Sequence, residues 1–465
     1  MKDKRENHPN IITDVVEMPE ANSTVEIYRG EYFIKNEKYN IRVKGRITYD
    51  WFPSIGVRFY GNINNDENEI RFLKSNNTYY CNVFIDGLKL GKGIIRRLKI
   101  ETTPKGTIYT LAGIISGSAI HGDKSICADK IKFGIPNLRN FLGSIVQRVN
   151  SSKSTTLLTN RLEFNDDKCK IIIDKCYDYE KRLENLKEKG GFVILYNGEL
   201  TYKKGTISYS SLQDIIYCFN TFLSFINGRR TAAIFLEGIA NDIVKWTEYS
   251  TYKIDPYKTV SSWTKTVPRE GLNVLWMRFR KIWKQSPDDK NFLITSIHWY
   301  VEANSNAGFS EGSIILAQTA LELIYNWWIV ENKKIILGKD SENISASNKI
   351  RILLSQLNLS NTIPTAFTAL RDLQKADNNL IDSPEAIVYI RNAIVHSQEK
   401  KRNKLSTIPT DAIYEAQQVY IWYIELSLLC ILDYNDEYYD RCIRELYEDK
   451  CLRLVPWKVT IQNDL

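Results

Sequence analysis

Histidine is scarce: the chain of 465 residues has four, and no two stand at metal-ligand spacing. The eight cysteines, at positions 81, 127, 169, 176, 218, 430, 442 and 451, form no C-x-x-C pair. A zinc ribbon needs close-spaced pairs, so no metal ligands are assigned and reduced thiols are expected. No G-x-x-x-x-G-K-[ST] or G-x-G-x-x-G phosphate loop is present, and no cofactor is expected. Gly91-Lys92-Gly93 lacks the rest of such a motif and reads as a hairpin turn. The first ten residues are polar, without the apolar core of a signal peptide. No uninterrupted apolar run reaches the roughly 18 residues that span a bilayer. These absences lead to the expectation of a soluble, cytoplasmic protein with no membrane partner.

What is present fits an ordinary folded chain. Hydrophobic content of 43% and charged content of 25% exclude a disordered or fibrous protein. The net charge of +8 is a mild basic excess, compatible with a polyanionic partner. The length exceeds one compact core. A change of hydrophobic period divides it into a β-rich half, 1–270, and a helical half, 271–465. The expected fold class is therefore α+β and multidomain.

In the first half the dominant period is 2. Alternation marks strands at 41–47, 55–60 (with a turn at Gly61), 69–73, 79–85 and 169–173. Short strands separated by Gly, Asn and Asp predict a sandwich or barrel-like sheet. Asn197-Gly198, between Phe192–Tyr196 and Glu199–Tyr202, predicts a type I′ hairpin, because both turn positions need positive φ. Helices are expected at 177–189 and 212–226. This half offers no catalytic constellation. It reads as a recognition module, with Arg96-Arg97 and Arg229-Arg230 as candidate anion contacts.

From Gly271 the period becomes 3.6. Ser286-Pro287-Asp288-Asp289 opens a helix with Ser as N-cap, Pro in the first turn and two acids at the positive helix end. Further helices are expected at 310–330, 348–357, 365–375 and 411–432. Ser383-Pro384-Glu385 opens another by the same device.

Taking 384–397 as a helix, Asn392 and His396 share a face, while Arg391 lies about 140° from His396. An imidazole exchanges a proton near neutral pH, and a guanidinium offers paired donors to phosphate oxygens. Together they suffice for metal-free RNA cleavage. The imidazole assists attack by the ribose 2′-OH or protonates the leaving 5′-oxygen, and Arg stabilises the phosphorane. On an earlier helix, Gln318, Glu322 and Asn326 form a polar stripe at i, i+4, i+8.

Arg391-Asn392-x-x-x-His396 matches the R-x4-6-H motif of HEPN ribonucleases, including the polar residue after Arg. Residues 285–450, with helices before the motif and an aromatic-rich helix after it, resemble that family. Glu322 fits the family's acidic residue on an earlier helix. A β-rich half before a C-terminal HEPN half is similar to ApeA-type anti-phage proteins. The resemblance implies an all-α helical-bundle domain with Arg391, Asn392, His396 and Glu322 in the site. It also implies an endoribonuclease acting in bacterial defence by RNA cleavage and growth arrest. Two motifs would meet in a homodimer or higher assembly, and the N-terminal half would answer a phage-derived trigger. Tyr420, Trp422 and Tyr423 are the expected support for that contact. The alternative is a non-catalytic HEPN interaction protein whose β-rich half binds a ligand or partner.

The run 399–404 follows His396 closely, and Lys400, Lys401, Arg402 and Lys404 are expected to guide the RNA backbone. His298, among Ile297, Trp299 and Tyr300, reads as a packed core histidine, and His121 as a turn residue.

Overall fold

A computed structural model describes residues 8–63, 79–104, 106–149, 155–268, 271–305, 309–396 and 399–459. The chain is an α+β multidomain protein with a β-rich N-terminal half and a helical C-terminal half. Two compact units form: Met1–Asn220 with Thr231–Lys258, and Thr221–Arg230 with Thr259–Leu465.

The first unit begins with a closed antiparallel barrel in the order β1-β2-β3-β6-β5-β4. Its strands are β1 (Val25–Lys35), β2 (Asn40–Asp50), β3 (Gly56–Ile63), β4 (Tyr80–Ile85), β5 (Leu88–Thr103) and β6 (Gly106–Ser116). Alternation decides the faces: Ile41, Val43, Ile47 and Tyr49 of β2 are buried, whereas Arg42, Lys44 and Arg46 are exposed. Gly61 is not a turn residue. It lies inside β3, opposite Gly45 on one side and Leu111 on the other. Gly91-Lys92-Gly93 also lies inside a strand, β5, and Gly93 faces Cys81, Val83 and Phe59 where a Cβ would crowd them. The β4–β5 turn is Asp86-Gly87, with φ of 48° and 81°. The strand expected at 69–73 lies outside the described residues.

Eight further strands form the second sheet, in the order β7-β14-β13-β8-β12-β11-β10-β9. They are β7 (Ala119–Gly122), β8 (Lys130–Pro136), β9 (Ser144–Val149), β10 (Thr155–Asn165), β11 (Cys169–Lys175), β12 (Ile194–Tyr202), β13 (Ile234–Ala240) and β14 (Ile243–Tyr249). His121 sits in β7, paired with Thr247, rather than in a turn. Helix Tyr209–Asn227 packs Phe219 against Phe133 and Phe164 of this sheet.

The expected hairpin at Asn197-Gly198 is absent: β12 runs straight through both residues, pairing Asn197 with Asp174 and Gly198 with Ile173. Tertiary contacts override the local turn preference. The buried Asn197 amide donates to Asp14 at 2.6 Å and accepts from the Val15 N–H at 3.2 Å. A side chain on Gly198 would overlap the Phe133 ring. The same N-terminal segment is tied down again where the Ile12 N–H donates to Asp174 at 2.9 Å, itself held by buried Arg161.

The second unit is built on helices Gly271–Gln285, Pro287–Asn304, Phe309–Tyr325, Ala346–Gln356, Thr368–Ala376, Ser383–Val395, Glu399–Thr407 and Thr410–Ile431. Ser286 caps its helix, accepting from the Asp289 N–H at 3.0 Å, with Pro287 in the first turn. Helix Thr410–Ile431 is apolar nearly all round and therefore central. Two of its buried carboxylates are held in place: Glu415 accepts from the Leu370 N–H at 2.8 Å, capping helix Thr368–Ala376. Glu425 binds Arg441 and accepts from the Tyr300 hydroxyl at 2.7 Å. Tyr420, Trp422 and Tyr423 are 0%, 7% and 1% exposed, so they belong to this unit's own core and supply no surface for a second chain.

Phe309–Asn332 is long and apolar enough to cross a membrane by length and composition, and 61% of its most apolar window is buried within its unit. Such burial is that of a core helix.

Candidate functional site

The Ser383–Val395 helix carries the motif, and its start is pinned on two sides. The cap is Asp382, not Ser383: its carboxylate accepts from the Glu385 N–H at 3.0 Å. Arg351 grips the same carboxylate with two bonds, at 2.7 and 2.8 Å, and reaches Glu385 at 3.0 Å. Ser383 is instead buried and accepts from the Tyr423 hydroxyl at 2.9 Å. An aspartate beats serine here because its second oxygen can hold the guanidinium while the first caps the helix. Ala386, Ile387, Ile390 and Ala393 bury the opposite face and fix the helix rotation.

The helix ends at Val395, two residues before the expected end. His396 is its C-cap, with φ −87° and ψ 112°, and only its N–H still reaches the Asn392 carbonyl, at 3.3 Å. His396 thus sits one turn after Asn392 at the very end of the helix, and only the backbone beyond it turns extended. The His396 ring is exposed and makes no hydrogen bond among the described residues.

Arg391 is half-buried, and its Nη1 donates to Asn392 Oδ1 at 3.1 Å. Its Nε is buried with no hydrogen-bond partner, an uncommon and costly state for a donor on a charged group. No carboxylate pairs with this guanidinium among the described residues. Its charge is thus held near the surface, uncommitted.

Glu322 projects from helix Phe309–Tyr325, which packs against both the motif helix and Thr410–Ile431. The Gln318 amide donates to Glu322 Oε1 at 2.8 Å, and Tyr420 donates to Gln318 Oε1 at 2.9 Å. Burial pushes the Tyr420 hydroxyl well above the usual phenol range, while the Arg391 charge pulls it down and the Glu322 charge pushes it up. The tyrosine feels both charges, so Arg391, Glu322 and the Tyr420–Gln318 pair occupy one neighbourhood. Tyr420 was missed as a member of this group. The available signal was a glutamine on an otherwise apolar helix, which needs a buried partner. Asn326 leaves the stripe: it is exposed and opens a π-helical segment, Asn326–Asn332, whose wider turn breaks the i+4 spacing.

Lys404 is exposed, with its ammonium 5.1 Å from the Tyr389 ring of the motif helix. The side chains of Lys400, Lys401 and Arg402 lie outside the described residues, although their backbone belongs to helix Glu399–Thr407. His298 is exposed rather than core, and its Nδ1 stands 3.0 Å from Arg230, which also pairs with Glu302. Among the described residues no three His, Cys, Asp or Glu side chains cluster as a metal site would need.

The fold and site define a barrel-and-sheet protein with a helical unit whose motif helix carries Arg391, without an ion pair among the described residues, and ends at the exposed His396. Residues 123–260 match the family model of the YopA central domain, and residues 286–451 match that of the YopA C-terminal domain. The first range covers most of the eight-stranded sheet, the second most of the helical unit; the barrel lies outside both. The chain is similar to the SPbeta prophage-derived uncharacterized protein YopA of Bacillus subtilis (strain 168). It is 26% identical to it over 453 residues, covering 94% of this chain and 96% of that protein. No solved structure matches.

Proposed function

We propose that the protein is a metal-independent endoribonuclease of the HEPN type, acting in the bacterial cytoplasm in anti-phage defence through RNA cleavage and growth arrest. The observation that carries this reading is the uncommitted Arg391 guanidinium, with its orphaned Nε, five residues before an exposed histidine. In the reaction the ribose 2′-oxygen attacks phosphorus and the bond to the 5′-oxygen breaks. The 2′-OH proton leaves to a base and the 5′-oxygen gains a proton, giving a 2′,3′-cyclic phosphate and a 5′-OH. His396 exchanges one of these protons and Arg391 stabilises charge on the phosphorane. Asn392 holds the guanidinium, and Glu322, braced by Gln318, sets the charge around it. A prophage-derived relative supports a role in conflict between phage and host.

A second reading, a non-catalytic HEPN interaction protein, is favoured by one observation: the His396 ring has no hydrogen-bond partner among the described residues. Cleavage assays decide between them. His396→Ala should lower cleavage roughly 10²–10⁴-fold, activity should persist in EDTA, and products should end in a 2′,3′-cyclic phosphate. Loss on chelation with rescue by a divalent ion rejects the mechanism. No cleavage under any condition favours the second reading.

A further inference from the structure

The barrel carries a surface that its own packing does not use. Across the ladders, Arg29 stands opposite Arg46, Arg46 opposite Tyr60, Tyr60 opposite Ala112, and Ala112 opposite Arg97. Residues directly opposite in antiparallel strands point to the same face. This row therefore lies side by side on the outside of β1, β2, β3, β6 and β5. Arg46 and Arg97 are three strand spacings apart, about 14 Å, with an aromatic ring between them. Tyr60 is 50% exposed. Its neighbour in the row, Ala112, offers only a methyl group and leaves the ring uncovered on that side.

The charge on this face is largely unspent. Glu26 pairs with Arg29 and also lies near Arg46, and Glu101 pairs with Lys99. Lys44, Arg46 and Arg97 are exposed and form no ion pair among the described residues. Lys44 heads the adjoining row, opposite Asn62. The face is also concave: a hollow of about 490 Å³ is lined by Arg29, Lys44, Arg46, Tyr60 and Asn62. Glycine makes this shape available, since a Cβ on Gly45 would overlap the Tyr60 carbonyl and Gly61.

We propose that this outer face of the barrel, centred on Arg46, Tyr60 and Arg97, binds single-stranded RNA. A hollow with an open aromatic face and flanking cations matches a polyanion that presents unstacked bases. The ring stacks a base and the guanidiniums take the phosphates. A duplex would keep its bases inside and leave Tyr60 without a partner. The choice of RNA over DNA rests on the cleavage chemistry proposed above, which needs a 2′-OH.

The test uses the full-length chain with His396→Ala, so that the probe survives, in EDTA. The probe is a fluorescein-labelled single-stranded RNA of roughly 12 nucleotides, followed by anisotropy across a salt series. Tyr60→Ala should weaken binding roughly 5- to 150-fold without changing the salt slope, and Tyr60→Phe should restore it. Arg46→Ala and Arg97→Ala should each lower the slope of log K against log salt by about 0.7. Unchanged thermal midpoints show that the barrel still folds. Parent-like binding by Tyr60→Ala, or unaltered slopes in both arginine variants, overturns the proposal. So does equal affinity for duplex RNA or heparin. Failure here with wild-type cleavage intact leaves the ribonuclease reading standing. Site-dependent RNA binding without any cleavage supports this surface and retires that reading.

Discussion

The buried hydroxyl of Tyr420 donates to Gln318 at 2.9 Å, and through that amide the core reaches the half-buried Glu322 carboxylate. A tyrosine, a glutamine and a glutamate on two helices thus form one polar thread through apolar packing. Gln318 makes both bonds, so the thread ties helix Thr410–Ile431 to helix Phe309–Tyr325.

Tyr420→Phe tests the thread. It removes a donor and leaves Gln318 Oε1 buried without a partner, at a cost of about 1–3 kcal/mol. Urea denaturation of the full chain should show that loss. Gln318, no longer braced, should hold Glu322 less firmly, and RNA cleavage should fall as well. A variant as stable as the parent would show that the bond contributes nothing.

Arg391→Lys tests whether geometry or charge matters at the motif. Lysine keeps the charge but loses the planar paired donors and the Nη1 contact to Asn392. Cleavage should remain strongly impaired, with RNA affinity little changed. Near-normal turnover would reduce Arg391 to a point charge.

The proposed composite site predicts assembly. A two-fold contact between helical units would bring two motifs together and supply the partner that each His396 ring lacks. Mixing wild-type protein with excess His396→Ala chains should then poison activity beyond simple dilution. Trp422→Ala should lower stability and not association, because Trp422 is buried in its own unit. Full turnover by a monomer across a dilution series would reject the composite site.

The Glu425–Arg441 pair offers a stability test away from the motif. Both side chains are buried, and Arg441 also donates to Asn304 and Gln418, each at 3.1 Å. Arg441→Met strands the Glu425 carboxylate and should destabilise the protein by about 3–5 kcal/mol. Adding Glu425→Gln removes that buried charge, so the double variant should unfold at higher urea than Arg441→Met alone.

Period, caps and the motif were legible along the chain because they are set by neighbours in sequence. Strand alternation at 41–47 and helix starts such as Ser286-Pro287 need only local backbone geometry. The run Arg391 to His396 could be read letter by letter. Sequence could likewise announce that the barrel's second strand carries cations on one face. What it could not decide was where local preference yields. Asn197-Gly198 is a strong turn signal, yet both residues are straight strand, because Asp14 and the Phe133 ring meet them from far along the chain. Gly61 and Gly93 likewise answer to close contacts across strands rather than to turns. The helix end at Val395, the cap at Asp382 and the burial of Tyr420 were settled the same way. A free side chain has several partners within reach of its own segment; only packing removes the others. The sequence by itself determined two kinds of unit and the residues available for chemistry. Tertiary structure decided which of those residues touch, since distance through space is not written in distance along the chain.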